Sequence, residues 1–188
     1  MKQLILDSTA VAQWQSLVQE AQSACDRRLD ETLESYLVFM LMRFTDKPLC
    51  ISRIMAEEYL TAQTLSGERR AERLREVGDH CLLFSGLFPQ LAERRLVRIS
   101  YFVNLGQSSY HQLSKVLDRS WSAVYGHLSD TFVVLMDILH SMRELSGDTV
   151  LTPIQSLELW QDTGSRRCHE KVSGDGRSMV LPGPQEKH

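Results

Sequence analysis

The chain lacks a long apolar segment and a cysteine pattern typical of secreted proteins. No run approaches the roughly 18 uncharged apolar residues that a membrane-spanning helix needs. The apolar stretch at the N-terminus ends at Asp7, too early for a secretory signal. Four well-separated cysteines, Cys25, Cys50, Cys81 and Cys168, include no CxxC pair, so free thiols are expected. These absences predict a cytoplasmic protein without a membrane segment or a disulfide framework.

The local motifs that carry catalysis in many enzymes are also missing. There is no GxxxxGK[ST], no GxGxxG after a strand, no GxSxG and no HExxH. Glu76 with His80 and Asp137 with His140 have carboxylate–histidine spacings, but a dimetal bundle needs about six ligands that face one another. Asp137 is moreover expected to point away from the apolar stripe of its helix. The sequence therefore predicts no metal and no cofactor, and it favours a protein that is not an enzyme.

Charge of either sign shows no large excess. The 188 residues include 21 Lys and Arg against 24 Asp and Glu, a net charge of -3, which gives no general attraction to nucleic acid or to an anionic membrane. Two groups of arginines nevertheless form a candidate basic patch: Arg69, Arg70, Arg73, Arg94, Arg95 and Arg98. Alternating charge is more typical of a solvated helix face. Nucleic-acid binding is therefore not expected.

Apolar residues recur at helical spacing along most of the chain, and no stretch alternates as a strand would. The spacings predict about seven helices, of which the longest runs from Ser120 to Leu145. The last helix has the clearest boundaries: Thr152 and Gln155 fit a capping box, Pro153 fits the first helical position and Gly164 fits the end. The predicted fold class is all-α, a single-domain helical bundle.

The composition changes after Gly164. Residues 165–188 contain three glycines, two prolines and no apolar period. Such a segment cannot bury enough apolar surface to offset the loss of chain entropy on folding. We therefore expect a helical domain over residues 1–164 and a disordered or loosely attached tail over 165–188.

The most informative polar residues lie where a charged helix becomes apolar. Between Cys81 and Phe88 the only polar side chain is Ser85, so this segment is expected to be buried. Asp79 and His80 stand just before it. A carboxylate in such a place needs a partner or a shifted pKa, and pairing with an arginine or capping of a helix is the favoured interpretation. The candidate partners are Tyr36, Tyr101, Tyr110 and His111.

Three segments of the chain, GDHCLLFSGLFP, YFVNLGQSSYHQL and LWQDTGS, together resemble an uncharacterised family of bacterial all-helical proteins. The resemblance rests on these segments, their order and the helical context, and it covers about residues 30–166. It implies the helical fold and supports the choice of Asp79 as a candidate site residue. It implies no activity.

Three classes of function fit these observations. The leading hypothesis is a non-enzymatic protein that acts through protein–protein interaction, with a second copy of itself or another protein as partner, because several helices are apolar on every side. An alternative is a small-molecule or cofactor-binding bundle with its site near Asp79, His80 and Tyr110. Gly106 supports it, since glycine inside a helix costs about 1 kcal/mol and indicates close approach of a helix or a ligand. The third class is a metal-dependent enzyme.

Overall fold

The chain forms helices joined by short connections. The computed structural model describes residues 2–46 and 54–175. Within these ranges there is no strand, and the helices are α1 (Lys2–Ala24), α2 (Glu31–Asp46), α3 (Met55–Thr64), α4 (Gly67–Gly86), α5 (Gln90–Arg94), α6 (Ile99–Val116), α7 (Arg119–Asp130), α8 (Phe132–Leu145), α9 (Pro153–Thr163) and α10 (Arg166–Asp175). The all-α prediction is confirmed, with ten helices where about seven were expected. None of these helices combines the length and apolar character needed to cross a membrane.

Helix α4 lies at the centre of the bundle because the second half of the helix has no face that suits water. Every residue from Cys81 to Gly86 is buried. Helices α3, α6 and α8 pack around α4, and α1 completes the core against α2 and α8. The segment predicted to be buried is therefore the axis of the fold as far as Gly86, whereas Phe88 at its end is 37% exposed.

Two glycines allow these helices to approach one another closely. A methyl group at Gly78 of α4 would collide with the ring of Tyr110 in α6. One at Gly106 of α6 would collide with the ring of Phe132 in α8 and approach Cys81 in α4. Helix packing thus accounts for Gly106, which the sequence assigns to close approach of either a helix or a ligand.

The C-terminal end of α4 is satisfied by side chains of α8. The last carbonyl groups of a helix have no partner within that helix. His140 donates from Nε2 to the carbonyl oxygen of Ser85 at 2.8 Å, and Arg143 donates to the carbonyl oxygen of Leu87 at 2.5 Å. Burial lowers the pKa of His140 to about 4, so its ring is neutral at pH 7.

The single helix predicted from 120 to 145 is wrong, because the chain breaks at Thr131 into α7 and α8. Thr131 has a φ of -100° and a ψ of 9°, and its hydroxyl donates to the carbonyl oxygen of His127. The change of direction separates the two halves of the apolar stripe. Phe132 is fully buried, whereas Trp121 is 58% exposed.

Helix α9 begins and ends where the sequence predicts. The hydroxyl of Thr152 accepts from the backbone N–H of Gln155, and the Gln155 side chain accepts from the backbone N–H of Thr152. Gly164 ends the helix with a φ of +72°, a conformation that glycine adopts without a steric penalty.

Helix α10 shows that part of the tail predicted after residue 164 is helical and contacts α8. Cys168 is buried against the body of the protein, and Arg167 and Lys171 both pair with Glu144 of α8. A polar helix can pack in this way because a few anchoring contacts replace a continuous apolar stripe. The rest of the predicted tail, 176–188, lies outside the described residues.

The start of α10 also covers Asp137 of α8. Ser165 donates its hydroxyl to Oδ1 of Asp137 at 2.6 Å, and Asp137 is 2% exposed. Asp137 is therefore buried even though it lies off the apolar stripe of α8. The apolar stripe of the sequence marks only one face of α8 as buried, whereas helices cover α8 on both sides.

Cys25, Cys81 and Cys168 are free thiols, as the sequence predicts. Cys50 lies outside the described residues.

Candidate functional site

Asp79 is the centre of a buried hydrogen-bond cluster that joins α2, α4 and α6. Its Oδ1 accepts from the hydroxyl of Tyr36 at 2.5 Å and from the hydroxyl of Tyr110 at 2.7 Å. Arg43 places a guanidinium nitrogen 3.1 Å from Oδ2. Asp79 is 1% exposed. Both oxygens of the carboxylate therefore have partners inside the protein.

The electrostatics of this cluster keep the two phenols protonated. Burial raises the pKa of Asp79, although the charge of Arg43 and the hydroxyls of Tyr36 and Tyr110 oppose that change. Burial also raises the pKa of Tyr36 and of Tyr110 well above the usual value, and the neighbouring Asp79 adds to the effect. Both phenols are hydrogen-bond donors at neutral pH, so the cluster is a closed set of donors and acceptors.

His80 is not part of this cluster, although it follows Asp79 in the chain. Its Nδ1 lies 2.6 Å from the carbonyl oxygen of Glu76, to which it donates. Its ring packs edge-on against Phe44, with 4.9 Å between the ring centroids. Of the predicted site residues, the structure brings together Asp79 and Tyr110 and places His80 on a different side of α4.

Among the candidate partners named from the sequence, the two that reach Asp79 are Tyr36 and Tyr110. No hydrogen bond joins Tyr101 or His111 to the carboxylate within the described part of the chain.

The arginines of the candidate basic patch lie near opposite ends of α4. The first group occupies the first turns of α4, and the second follows its C-terminal end. About 20 Å of helix axis separates Arg73 from Gly86. Arg73 pairs with Glu58 of α3, and Arg98 pairs with Asp162 of α9. The two groups therefore do not form one continuous cationic surface.

A cleft of about 490 Å³ lies on the outer side of the Asp79 cluster, between α2, α4 and α7. We call it the α2 cleft. Its wall is mainly aromatic and cationic, and the residues that define it are Tyr36, Phe39, Arg43, Arg75, Trp121 and Tyr125. Asp79 does not line the cleft, but two of its partners do. Glu31 stands at the exposed margin, where solvent screens its charge.

Arg75 is the least satisfied residue of the α2 cleft. Its Nε is buried and has no hydrogen-bond partner among the described residues. It lies one turn before Asp79 on α4, yet it forms no ion pair with that carboxylate, which Arg43 already occupies. Buried N–H groups normally have a partner, and an unpaired one costs about 1 to 3 kcal/mol. The guanidinium group of Arg75 therefore lines the α2 cleft without an anionic partner among the described residues, and an anionic ligand in the cleft would supply one.

A second cleft, of about 300 Å³, shares a wall with the first. We call it the α4 cleft. Arg75, Trp121 and Tyr125 line both clefts, while Glu68 and Glu72 line only the second. The rings of Trp121 and Tyr125 lie 6.4 Å apart between centroids and 35° apart in plane. These two rings form an aromatic partition between the clefts.

Arg43, Arg75 and Trp121 line the α2 cleft but are not among the site residues predicted from the sequence. A signal existed for two of them. Arg43 is the only charged residue in the apolar run 37–44, and Arg75 stands four residues before Asp79, the spacing that places both on one face of a helix. For Trp121 the sequence carries no such signal, because its spacing continues the apolar stripe of the following residues.

No group of three or more His, Cys, Asp or Glu side chains that could hold a metal ion occurs within the described residues. Comparisons of the chain with protein-family models, with curated proteins and with solved structures give no match. The side chains of the two clefts are therefore the basis on which a function can be inferred.

Proposed function

We propose that the protein binds a small organic anion with a flat apolar body in the α2 cleft. The observation that carries the proposal is the guanidinium group of Arg75, which lines a cleft of ligand size and forms no ion pair with another described residue, while its buried Nε also lacks a hydrogen-bond partner. A carboxylate, sulfonate or phosphate accepts paired hydrogen bonds from a guanidinium group. Phe39 and Trp121 offer aromatic surface against which the apolar body packs.

The Asp79 cluster supports this site from behind. Asp79 fixes Arg43 through its ion pair and fixes Tyr36 through its hydrogen bond, and both residues line the cleft. A side chain that is already held in place loses less conformational entropy when a ligand binds. Asp79 thus orients residues of the cleft without contacting the ligand.

Anilinonaphthalene sulfonate, a fluorescent aromatic anion, tests the proposal, because Trp121 in the cleft wall can transfer excitation energy to it. The Arg75→Gln variant should bind this probe about tenfold more weakly, the effect of losing roughly 1.4 kcal/mol of charge-assisted hydrogen bonding. Arg69→Gln is the matched control, since it removes the same charge from an exposed position of the same helix outside both clefts. Equal affinity in wild type and Arg75→Gln would contradict the proposal.

Self-association is a second candidate function, favoured by two exposed aromatic side chains at the rim of the α2 cleft. Phe39 is 59% exposed and Trp121 is 58% exposed. Aromatic residues are enriched in protein interfaces. A second copy of this chain is the proposed occupant of the rim. In that case Phe39→Ser should shift sedimentation from dimer to monomer, and a wild-type protein that is monomeric at all concentrations would contradict the idea.

A further inference from the structure

The two clefts on either side of the aromatic partition differ in the sign of their charge. Arg43 and Arg75 face the α2 cleft, and Glu68 and Glu72 face the α4 cleft. Arg75, Trp121 and Tyr125 line both clefts, so the contrast comes from Arg43, which lines only the α2 cleft, and from Glu68 and Glu72, which line only the α4 cleft. One continuous surface therefore presents cationic groups at one end, aromatic rings in the middle and anionic groups at the other end.

The carboxylates of the α4 cleft are available to a ligand. Glu68 and Glu72 lie one turn apart on the face of α4 that also carries Arg75. Neither carboxylate forms an ion pair with another described residue. The faces of Trp121 and Tyr125 attract an organic cation through their π electrons, and carboxylates beside the rings add a Coulomb attraction.

We infer that the α4 cleft receives an organic cation, so that the ligand is an amphoteric molecule with both charges. Its anionic group binds Arg75 in the α2 cleft. Its apolar part crosses the partition formed by Trp121 and Tyr125. Its ammonium group lies between Glu68 and Glu72. This inference rests on the proposed anion binding in the α2 cleft and adds the chemical class of the ligand.

Helix α4 sets the distance between the two charges of the ligand. With a rise of about 1.5 Å per residue, Glu72 lies roughly 4.5 Å and Glu68 roughly 10 Å along the axis from Arg75. Arg43 binds at the level of Asp79, about 6 Å farther along α4. The charges of a fitting ligand are therefore about 5 to 16 Å apart along this axis. An α-amino acid, whose ammonium and carboxylate groups are attached to the same carbon atom, is too short.

A set of three compounds on one phenyl scaffold tests the inference by isothermal titration calorimetry. Para-aminomethyl phenylacetate carries both charges, its N-acetyl derivative keeps only the anion, and its carboxamide keeps only the cation. The amphoteric compound should bind wild-type protein about tenfold more tightly than the N-acetyl derivative, as expected for one additional ionic contact. In the Glu68→Gln/Glu72→Gln double variant this advantage should disappear, while the N-acetyl derivative should bind at least as tightly as to wild type, because two negative charges near its carboxylate are removed.

The double variant Glu20→Gln/Glu57→Gln is the matched control, because it removes two exposed carboxylates outside both clefts. It should keep the wild-type preference for the amphoteric compound. If the N-acetyl derivative binds and the amphoteric compound binds no more tightly, or if its advantage survives in Glu68→Gln/Glu72→Gln, the inference is overturned and the proposed anion binding stands. If no compound of the set binds wild-type protein, both fail together.

Discussion

Replacing Asp79 by asparagine should destabilise the protein by about 1 to 3 kcal/mol, the cost of unpaired buried donors. The carboxylate accepts hydrogen bonds from Tyr36 and Tyr110 and faces the guanidinium of Arg43. An asparagine amide replaces one acceptor oxygen by a nitrogen with two N–H donors. If the amide nitrogen faces Arg43, its N–H groups and those of the guanidinium are all donors, and no hydrogen bond can form between them. If it faces the tyrosines, their hydroxyl hydrogens lose their acceptor.

Loss of the charge alone accounts for little of this effect. Burial raises the pKa of Asp79, which means that the ionised carboxylate is held in the folded protein at a cost. Removing the charge relieves that cost and offsets the lost ion pair, whose Arg43 side chain is 37% exposed and can be solvated. The unmatched hydrogen-bond donors therefore account for most of the expected loss of stability.

The stability difference between wild type and Asp79→Asn should also depend on pH, which is a second and independent prediction. A carboxyl group whose pKa is raised by folding stabilises the folded state most when it is protonated, and this contribution is lost as the pH rises through the folded-state pKa. Asp79→Asn has no such contribution. The margin by which wild type is more stable than the variant should therefore grow as the pH falls toward the unfolded-state pKa of the carboxyl. The other titratable groups are present in both proteins, so their effects cancel in this difference.

Urea unfolding followed by circular dichroism, from pH 7 to pH 4, measures both parts. A loss of about 1 to 3 kcal/mol corresponds to roughly 2 to 12 °C in Tm for a chain of this size. Asp130→Asn, at an exposed position, is the control and should stay within about 0.5 kcal/mol of wild type. An Asp79→Asn variant at least as stable as wild type would refute the reasoning, because it would mean that the donors around position 79 are not matched as the structure has them.

Two further predictions concern the centre of the bundle. Folding lowers the pKa of His140 from 6.5 to about 4, so the protein should lose up to about 3 kcal/mol of stability from this group as the pH falls from 6.5 to 4, and His140→Gln should remove that part of the pH dependence in urea unfolding. Gly78→Ala should destabilise by about 1 to 3 kcal/mol because its methyl group meets the ring of Tyr110. Gly126→Ala, in open space on α7, should instead be neutral or stabilising by up to about 1 kcal/mol. Urea unfolding of the two variants measures both changes, and equal effects at the two glycines would contradict the packing argument.

The sequence predicts helices well where the determining interactions are local. The capping box of Thr152 and Gln155 spans three residues, so both ends of α9 are readable from the sequence. The break at Thr131 is not readable, because Leu128, Phe132 and Leu135 continue the helical spacing across it. Helix α10 is not predicted because it has no apolar period and packs against the body of the protein through a few separate contacts.

The candidate site shows the same limit. A carboxylate that precedes an apolar run can be recognised as significant, and Asp79 is indeed buried. The hydrogen bond from Tyr36, however, joins residues 43 positions apart, and no local pattern specifies such a pair. The clefts depend on how α2, α4 and α7 are arranged in space. Arg75 becomes notable only when the structure shows that its buried Nε lacks a partner.

The capping of α4 by α8 has a consequence for how the protein opens. The carbonyl groups of Ser85 and Leu87 are satisfied only while His140 and Arg143 remain in place. If α8 moved away, these carbonyls would be left without partners in an apolar environment, and the end of α4 would fray. The two helices are therefore one cooperative unit. We therefore expect their amide protons to exchange with solvent through the same opening, even though 55 positions separate the residues that join them.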